Sequence, residues 1–116
     1  MDSWFMAGCF LLGLTALLGL LFLIYRSGPA AVTRYEAEEL LDLEIIQDVI
    51  DLRSKQEFAQ GAVWPRSINI PANRLLQELP EQDPDRGRSL LFFGPGAASA
   101  ARLARQLGYF NVRYVH

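Results

Sequence analysis

The sequence reads as α/β: one N-terminal transmembrane helix, then a small open parallel sheet flanked by helices. Three observations carry this reading. Residues 4–25 run without a charge, short apolar runs of strand length recur at 45–52, 68–70, 89–93 and 112–115, and segments with helix caps or 3.6-residue spacing separate those runs. Strands that alternate with helices form a mostly parallel sheet covered on both faces.

The first element is the apolar segment. At 1.5 Å per residue, residues 4–25 make a helix roughly 33 Å long, enough to cross a hydrocarbon core of about 30 Å. Trp4 and Tyr25 stand at its ends, where amphipathic rings favour the headgroup zone, and Arg26 closes it. A signal peptide would begin with basic residues, which Met1, Asp2 and Ser3 do not supply. Met6-Ala7-Gly8-Cys9 precedes the apolar core instead of following it, so it is not read as a lipoprotein cleavage box. Cys9 and Gly13, and Thr15 and Gly19, have the four-residue spacing that lets helices approach, although small residues are common in membrane helices generally. Arg26, Arg34, Arg53 and Lys55 all follow the span and no basic side chain precedes it. A single-pass protein of a bacterial inner membrane is therefore expected, with its soluble domain in the cytoplasm.

The rest of the 116-residue chain, about 80 to 90 residues, is one small domain. The net charge of -2 and the scatter of ten arginines and one lysine among acidic neighbours exclude a nucleic-acid footprint. Cys9 is the one cysteine and lies in the apolar segment, so the soluble domain has no thiol. His116 is the one histidine and the last residue, which removes most routes to a zinc site or a histidine base. No metal and no cofactor are expected.

Residues 26–32 read as a linker around Ser27-Gly28-Pro29. Thr33 with Glu36 then forms a capping box for a helix reaching Leu41 or Leu43, with Tyr35, Leu40 and Leu41 as its apolar contacts. After the 45–52 strand, Ser54 caps a brief helix over Lys55 to Ala59, which Gly61 ends. Residues 62–71 are extended, 73–79 helical, and 80–87 a polar connection. Beyond the 89–93 strand, Gly94-Pro95-Gly96 turns the chain into a helix over 98–107. That helix turns Ala101, Leu103, Ala104 and Leu107 inward and Arg102 and Arg105 outward, Gly108 stops it, and 112–115 is the last strand.

With the elements in this order, several motifs from residue 33 to the C-terminus resemble the rhodanese-like, or sulfurtransferase, domain. Val49-Ile50-Asp51-Leu52-Arg53, Glu57-Phe58, Gly61-Ala62-Val63 and Ser67-Ile68-Asn69-Ile70-Pro71 are similar to that family's strand with Asp-x-Arg, Glu-Phe/Tyr, Gly-His-Ile and Ala-x-Asn-Ile-Pro sequence, and Gly108-Tyr109 with Asn111-Val112 fits the pattern before its last strand. The resemblance implies scaffold roles for Asp51, Arg53, Glu57, Gly61, Asn69 and Pro71, with Asp51 and Arg53 tying the strand end to the adjoining loop. It also implies a domain at 33–116, shortened at its C-terminus. The family's chemistry needs a cysteine after the central strand, and the corresponding position here is Gly94. The loop to the next helix is shorter than the family's and lacks its usual arginine.

Gly94, Gly96, Ala97, Ala98 and Ser99, between a strand and a helix, form a possible anion-binding turn, although Pro95 removes a donor and no lysine follows. Ser99 has no histidine to activate it and reads as a helix cap. Trp64 reads either as an exposed recognition aromatic or as a partly buried cover over the sheet. The expected function is that of a membrane-tethered, catalytically inactive rhodanese-like module that binds a protein partner, such as a larger membrane complex, as well as the bilayer. The alternatives are a sulfurtransferase-related or phosphatase-like enzyme, and a small structural subunit acting through its span.

Overall fold

The computed structural model describes residues 3–26 and 28–116. Met1, Asp2 and Ser27, and the side chains of Ser3, Phe5, Ile24, Tyr25 and Arg26, lie outside the described residues, and with them the expected headgroup contacts of Tyr25 and Arg26. Helix α1 (Ser3–Arg26) is continuous, and its Met6–Leu23 window has a mean hydropathy of 2.3. All of its described side chains are exposed, so it adds nothing to the domain core. The Thr15 hydroxyl donates to the Leu11 carbonyl at 2.8 Å, which satisfies that donor within the helix.

The remainder is a five-stranded sheet, β1 (Ala30–Val32), β2 (Asp48–Asp51), β3 (Ser67–Asn69), β4 (Leu90–Phe93) and β5 (Val112–Val115), with all pairings parallel in the order β1-β5-β4-β2-β3. The period of two divides the central strands between two cores. Ile50 and Phe92, in register, join Leu90, Leu75, Leu79, Ala101, Ala104 and Tyr109 beneath helices α4 (Leu75–Gln82) and α5 (Ala97–Gln106). Val49 and Leu91, also in register, face the other way with Val32, Ile46, Trp64 and Ala37 of α2 (Arg34–Asp42). Each fully buried Leu, Ile or Phe contributes roughly 1.5–3 kcal/mol, so the two thin cores together hold the domain.

Local capping places the helices. Thr33 Oγ1 accepts from Glu36 N at 3.1 Å, and Ser54 Oγ accepts from Glu57 N at 3.2 Å at the start of α3 (Lys55–Ala59). Four expectations need correction. Residues 30–32 are not linker but β1, an edge strand of three residues whose partner, β5, lies some eighty positions along the chain, so nothing local announces it. Tyr35 is 76% exposed, and the buried residue of α2 is Ala37. Residues 80–82 are not a loop: α4 follows a 3-10 turn (Ala72–Arg74) and continues through Pro80 to Gln82, tolerated because one missing amide so near the C-terminus costs few bonds. Ser99 is not the cap of α5, because Gly96 occupies that position.

Candidate functional site

The C-terminal edge of the sheet gathers the ends of β2, β3 and β4. Asp51, 1% exposed, closes β2 by accepting from Arg53 N at 3.0 Å and from the Arg53 guanidinium, with Nε at 3.0 and 3.1 Å and Nη2 at 2.8 Å. This hydrogen bonding raises the Arg53 pKa still further. The same Nη2 donates to the Gly61 carbonyl at 2.9 Å, which fixes the loop after α3. Asn69 Nδ2 donates to the Asp51 and Arg53 carbonyls at 3.1 and 2.9 Å, tying β3 to that loop, and Pro71 leads into the 3-10 turn. Of the six motif residues, Asp51, Arg53, Gly61 and Asn69 thus form one hydrogen-bonded clamp, while Glu57 serves the Ser54 cap.

The turn after β4 lies against this clamp. Leu52 N donates to Phe93 O at 2.8 Å, and Arg53 Cζ sits 5.8 Å from the Phe93 ring centroid. Gly94 has φ +113, and a Cβ there would lie 3.3 Å from Arg53 N, 3.4 Å from Arg53 Cγ and 3.5 Å from Leu52 Cβ. The left-handed backbone favours glycine, and a Cβ would also crowd Arg53 N. Ala97 N donates to the Gly94 carbonyl at 3.3 Å, and Gly96 caps α5 in the left-handed region without a side-chain acceptor. Ser99 is exposed, and its Oγ accepts from Arg102 Nη2 at 3.2 Å. Chemically, the turn offers helix-start amides and an arginine, an arrangement suited to holding a negative charge and devoid of a nucleophile with a base. Cys9 is in α1. Trp64, whose two readings the sequence leaves open, is 6% exposed and meets Phe93 edge to face at 4.9 Å.

Sequence reasoning missed a second cluster at the opposite edge of the sheet. Arg88 Nε lies 2.6 Å from Asp48 Oδ2 and 3.6 Å from Asp83 Oδ1, while Asp83 Oδ2 is buried without a partner. Burial first, then the hydrogen bond and charge of Asp48, push Asp83 up to about 7. Burial works against ionisation of Asp48 as well, yet the hydrogen bonds from Arg88 and Asp83 and the charge of Arg88 together outweigh it and hold Asp48 below the usual carboxylate value. The Asp83 carbonyl accepts from the Tyr109 hydroxyl, which in turn accepts from Arg86 Nη1 at 2.7 Å, and burial raises the pKa of that phenol. No spacing rule links residues 48, 83 and 88, since only the parallel register brings them together.

Comparison with known proteins accords with this geometry. The family model described as "Rhodanese-like domain" matches residues 33–116. Among solved structures, a human single-domain sulfurtransferase is similar at 31% identity and a TM-score of 0.63, covering 76% of this chain and 89% of that one. A Saccharomyces cerevisiae single-domain sulfurtransferase, at 24% identity and a TM-score of 0.57 over 75% of this chain and 82% of that one, shares the fold. No curated protein matches the chain significantly.

Proposed function

Since the chain belongs to the rhodanese-like domain family, we propose that it is a membrane-tethered, catalytically silent member that acts by binding, as an accessory or regulatory subunit of a larger membrane complex. The observation that carries this is Gly94. Sulfur transfer of the family's kind needs a thiolate just beyond the central strand, and at that point this chain has no side chain, φ +113, and Arg53 N 3.3 Å from where a Cβ would stand. These contacts support a site without a thiol, and the chain's single cysteine, Cys9, belongs to the apolar helix. The length and hydropathy of α1 support a span, and the arginines after it support a cytoplasmic domain. On this reading the span occupies 4–25 within α1, a connection of three residues, 27–29, follows, and the domain begins with β1 at Ala30, ahead of the 33–116 stretch that the family model matches.

The turn at 94–99 is the binding element we assign to this module, through a helix start that Gly96 caps without a side-chain acceptor and the Arg102–Ser99 contact. Phosphate or sulfate titration should move the amide resonances of Gly96, Ala97, Ala98 and Ser99, and unchanged shifts would remove the turn from the account. A second reading, sulfur transfer, is favoured by the 31% identity to a single-domain sulfurtransferase. Thiosulfate-to-cyanide turnover by the purified full-length chain separates the two. The binding reading expects background rates that a Cys9→Ala variant leaves unchanged, and turnover that depends on the protein would establish the enzyme.

A further inference from the structure

A recess of about 640 Å³ opens at the edge of the sheet opposite the 94–99 turn. Because all five strands are parallel, that edge collects the residues just before β2, β3 and β4, and the C-terminal end of α2 closes it. Its floor is apolar, built from Leu41, Ile46, Val49 and the buried Trp64, and its volume falls within the range of about 300–1,000 Å³ usual for small-molecule sites. The indole Nε1–H of Trp64, one of the lining residues, is buried with no acceptor among the described residues.

The rim carries three carboxylates, Glu38, Asp42 and Glu44, and two guanidinium groups, Arg66 and Arg88. Asp42 lies at the C-terminal end of α2, Glu38 one turn earlier and Glu44 just after the helix; the dipole at that end favours cations, yet no basic residue lies in the last turn. Glu38 has only a 3.7 Å contact with Arg34, both side chains more than half exposed, which neutralises little of this charge. On the facing wall, Arg88 is already committed to Asp48, leaving Arg66, and Arg34 standing 5.6 Å over the Trp64 ring, as the opposing charges. Glu44 and Arg66, at φ +60 and +62, are also the two non-glycine residues with left-handed backbone among the described residues, and strain of this kind persists where the surroundings impose it.

We propose that this recess binds a small organic amine with an apolar, ring-bearing body, its ammonium group among Glu38, Asp42 and Glu44 and its ring on Leu41, Ile46 and Val49. The site is separate from the 94–99 turn, so its test does not depend on the binding reading of that turn. The probes are 2-phenylethylamine and its neutral and anionic counterparts, 2-phenylethanol and phenylacetate, titrated into the full-length chain in zwitterionic micelles while the Trp64 indole and the Gln47 and Arg66 amide resonances are followed. Saturable shifts are expected with the amine, at least tenfold weaker with either counterpart. A combined Asp42→Asn, Glu44→Gln variant, altering two exposed residues, should weaken the amine at least tenfold while Arg66→Gln leaves it unchanged or tighter. Equal responses to amine and phenylacetate, an absence of saturation, or indifference to the double variant would overturn the proposal.

Discussion

Replacing Asp51 with alanine tests the clamp most severely. The carboxylate is 1% exposed and takes the backbone N–H of Arg53 together with its guanidinium in four contacts of 2.8–3.1 Å. Breaking a buried ion pair by removing one partner costs about 3–5 kcal/mol when the orphaned charge stays buried. Here the Arg53 side chain is 19% exposed and keeps its bond to the Gly61 carbonyl, so it can turn toward water, and the expected loss is nearer 2–3 kcal/mol. For a domain of this size, 1 kcal/mol moves Tm by about 4–8 °C, giving a fall of roughly 10–20 °C. Thermal unfolding of the full-length chain followed by near-ultraviolet circular dichroism reads this directly, because α1 contributes little to that signal compared with the packed Trp64 and Phe93 pair. Asp51→Asn, which keeps one acceptor oxygen, should fall between. A loss below about 1 kcal/mol in Asp51→Ala would refute the reasoning, since the carboxylate would then be a spectator of the loop geometry.

Other perturbations follow from the same geometry. Gly94→Ala should cost about 1–3 kcal/mol because a left-handed backbone and a 3.3 Å contact with Arg53 N oppose it, whereas Gly96→Ala, with nothing within 4 Å, should cost about 1 kcal/mol, both measured by urea denaturation. Gly94→Cys should therefore be destabilised and still fail to transfer sulfur from thiosulfate. Ser54→Ala should lose about 1 kcal/mol through the uncapped Glu57 amide, read as a Tm shift. Asp83 titrates near 7 in the folded domain, well above an ordinary carboxylate, so the folded state holds a proton that the unfolded chain releases. Its contribution is complete below about pH 4 and is lost as pH rises through about 7; Asp83→Asn should flatten that part of the stability profile, as judged by urea midpoints across the pH range.

What could be read in the chain beforehand is what local chemistry encodes. The uncharged apolar run, the Thr33 and Ser54 caps, the wholly apolar Leu90–Phe93 strand and the Asp51, Arg53 and Asn69 motif all state their structure within a few residues. The edge strand β1 does not, because three residues carry no periodicity and its partner is β5. Tyr35 looked like a core residue by type, but on a nine-residue helix the narrow buried stripe needed only Ala37 at its centre. Pro80 looked like a stop, although close to a helix end it removes little. The Asp48, Asp83 and Arg88 cluster and the acidic recess depend on strand register and helix placement, so they were visible only once the sheet order was known. The left-handed Gly94, by contrast, had a sequence signal in Gly-Pro-Gly, but its contact with Arg53 N had none.

The central claim is that the mouth of the sheet holds no sulfur. Incubating the purified full-length chain with excess thiosulfate and weighing it intact by mass spectrometry tests this most directly. The account predicts an unchanged mass; a chain heavier by one sulfur atom, with the adduct mapped to Cys9 and discharged by cyanide, would contradict it.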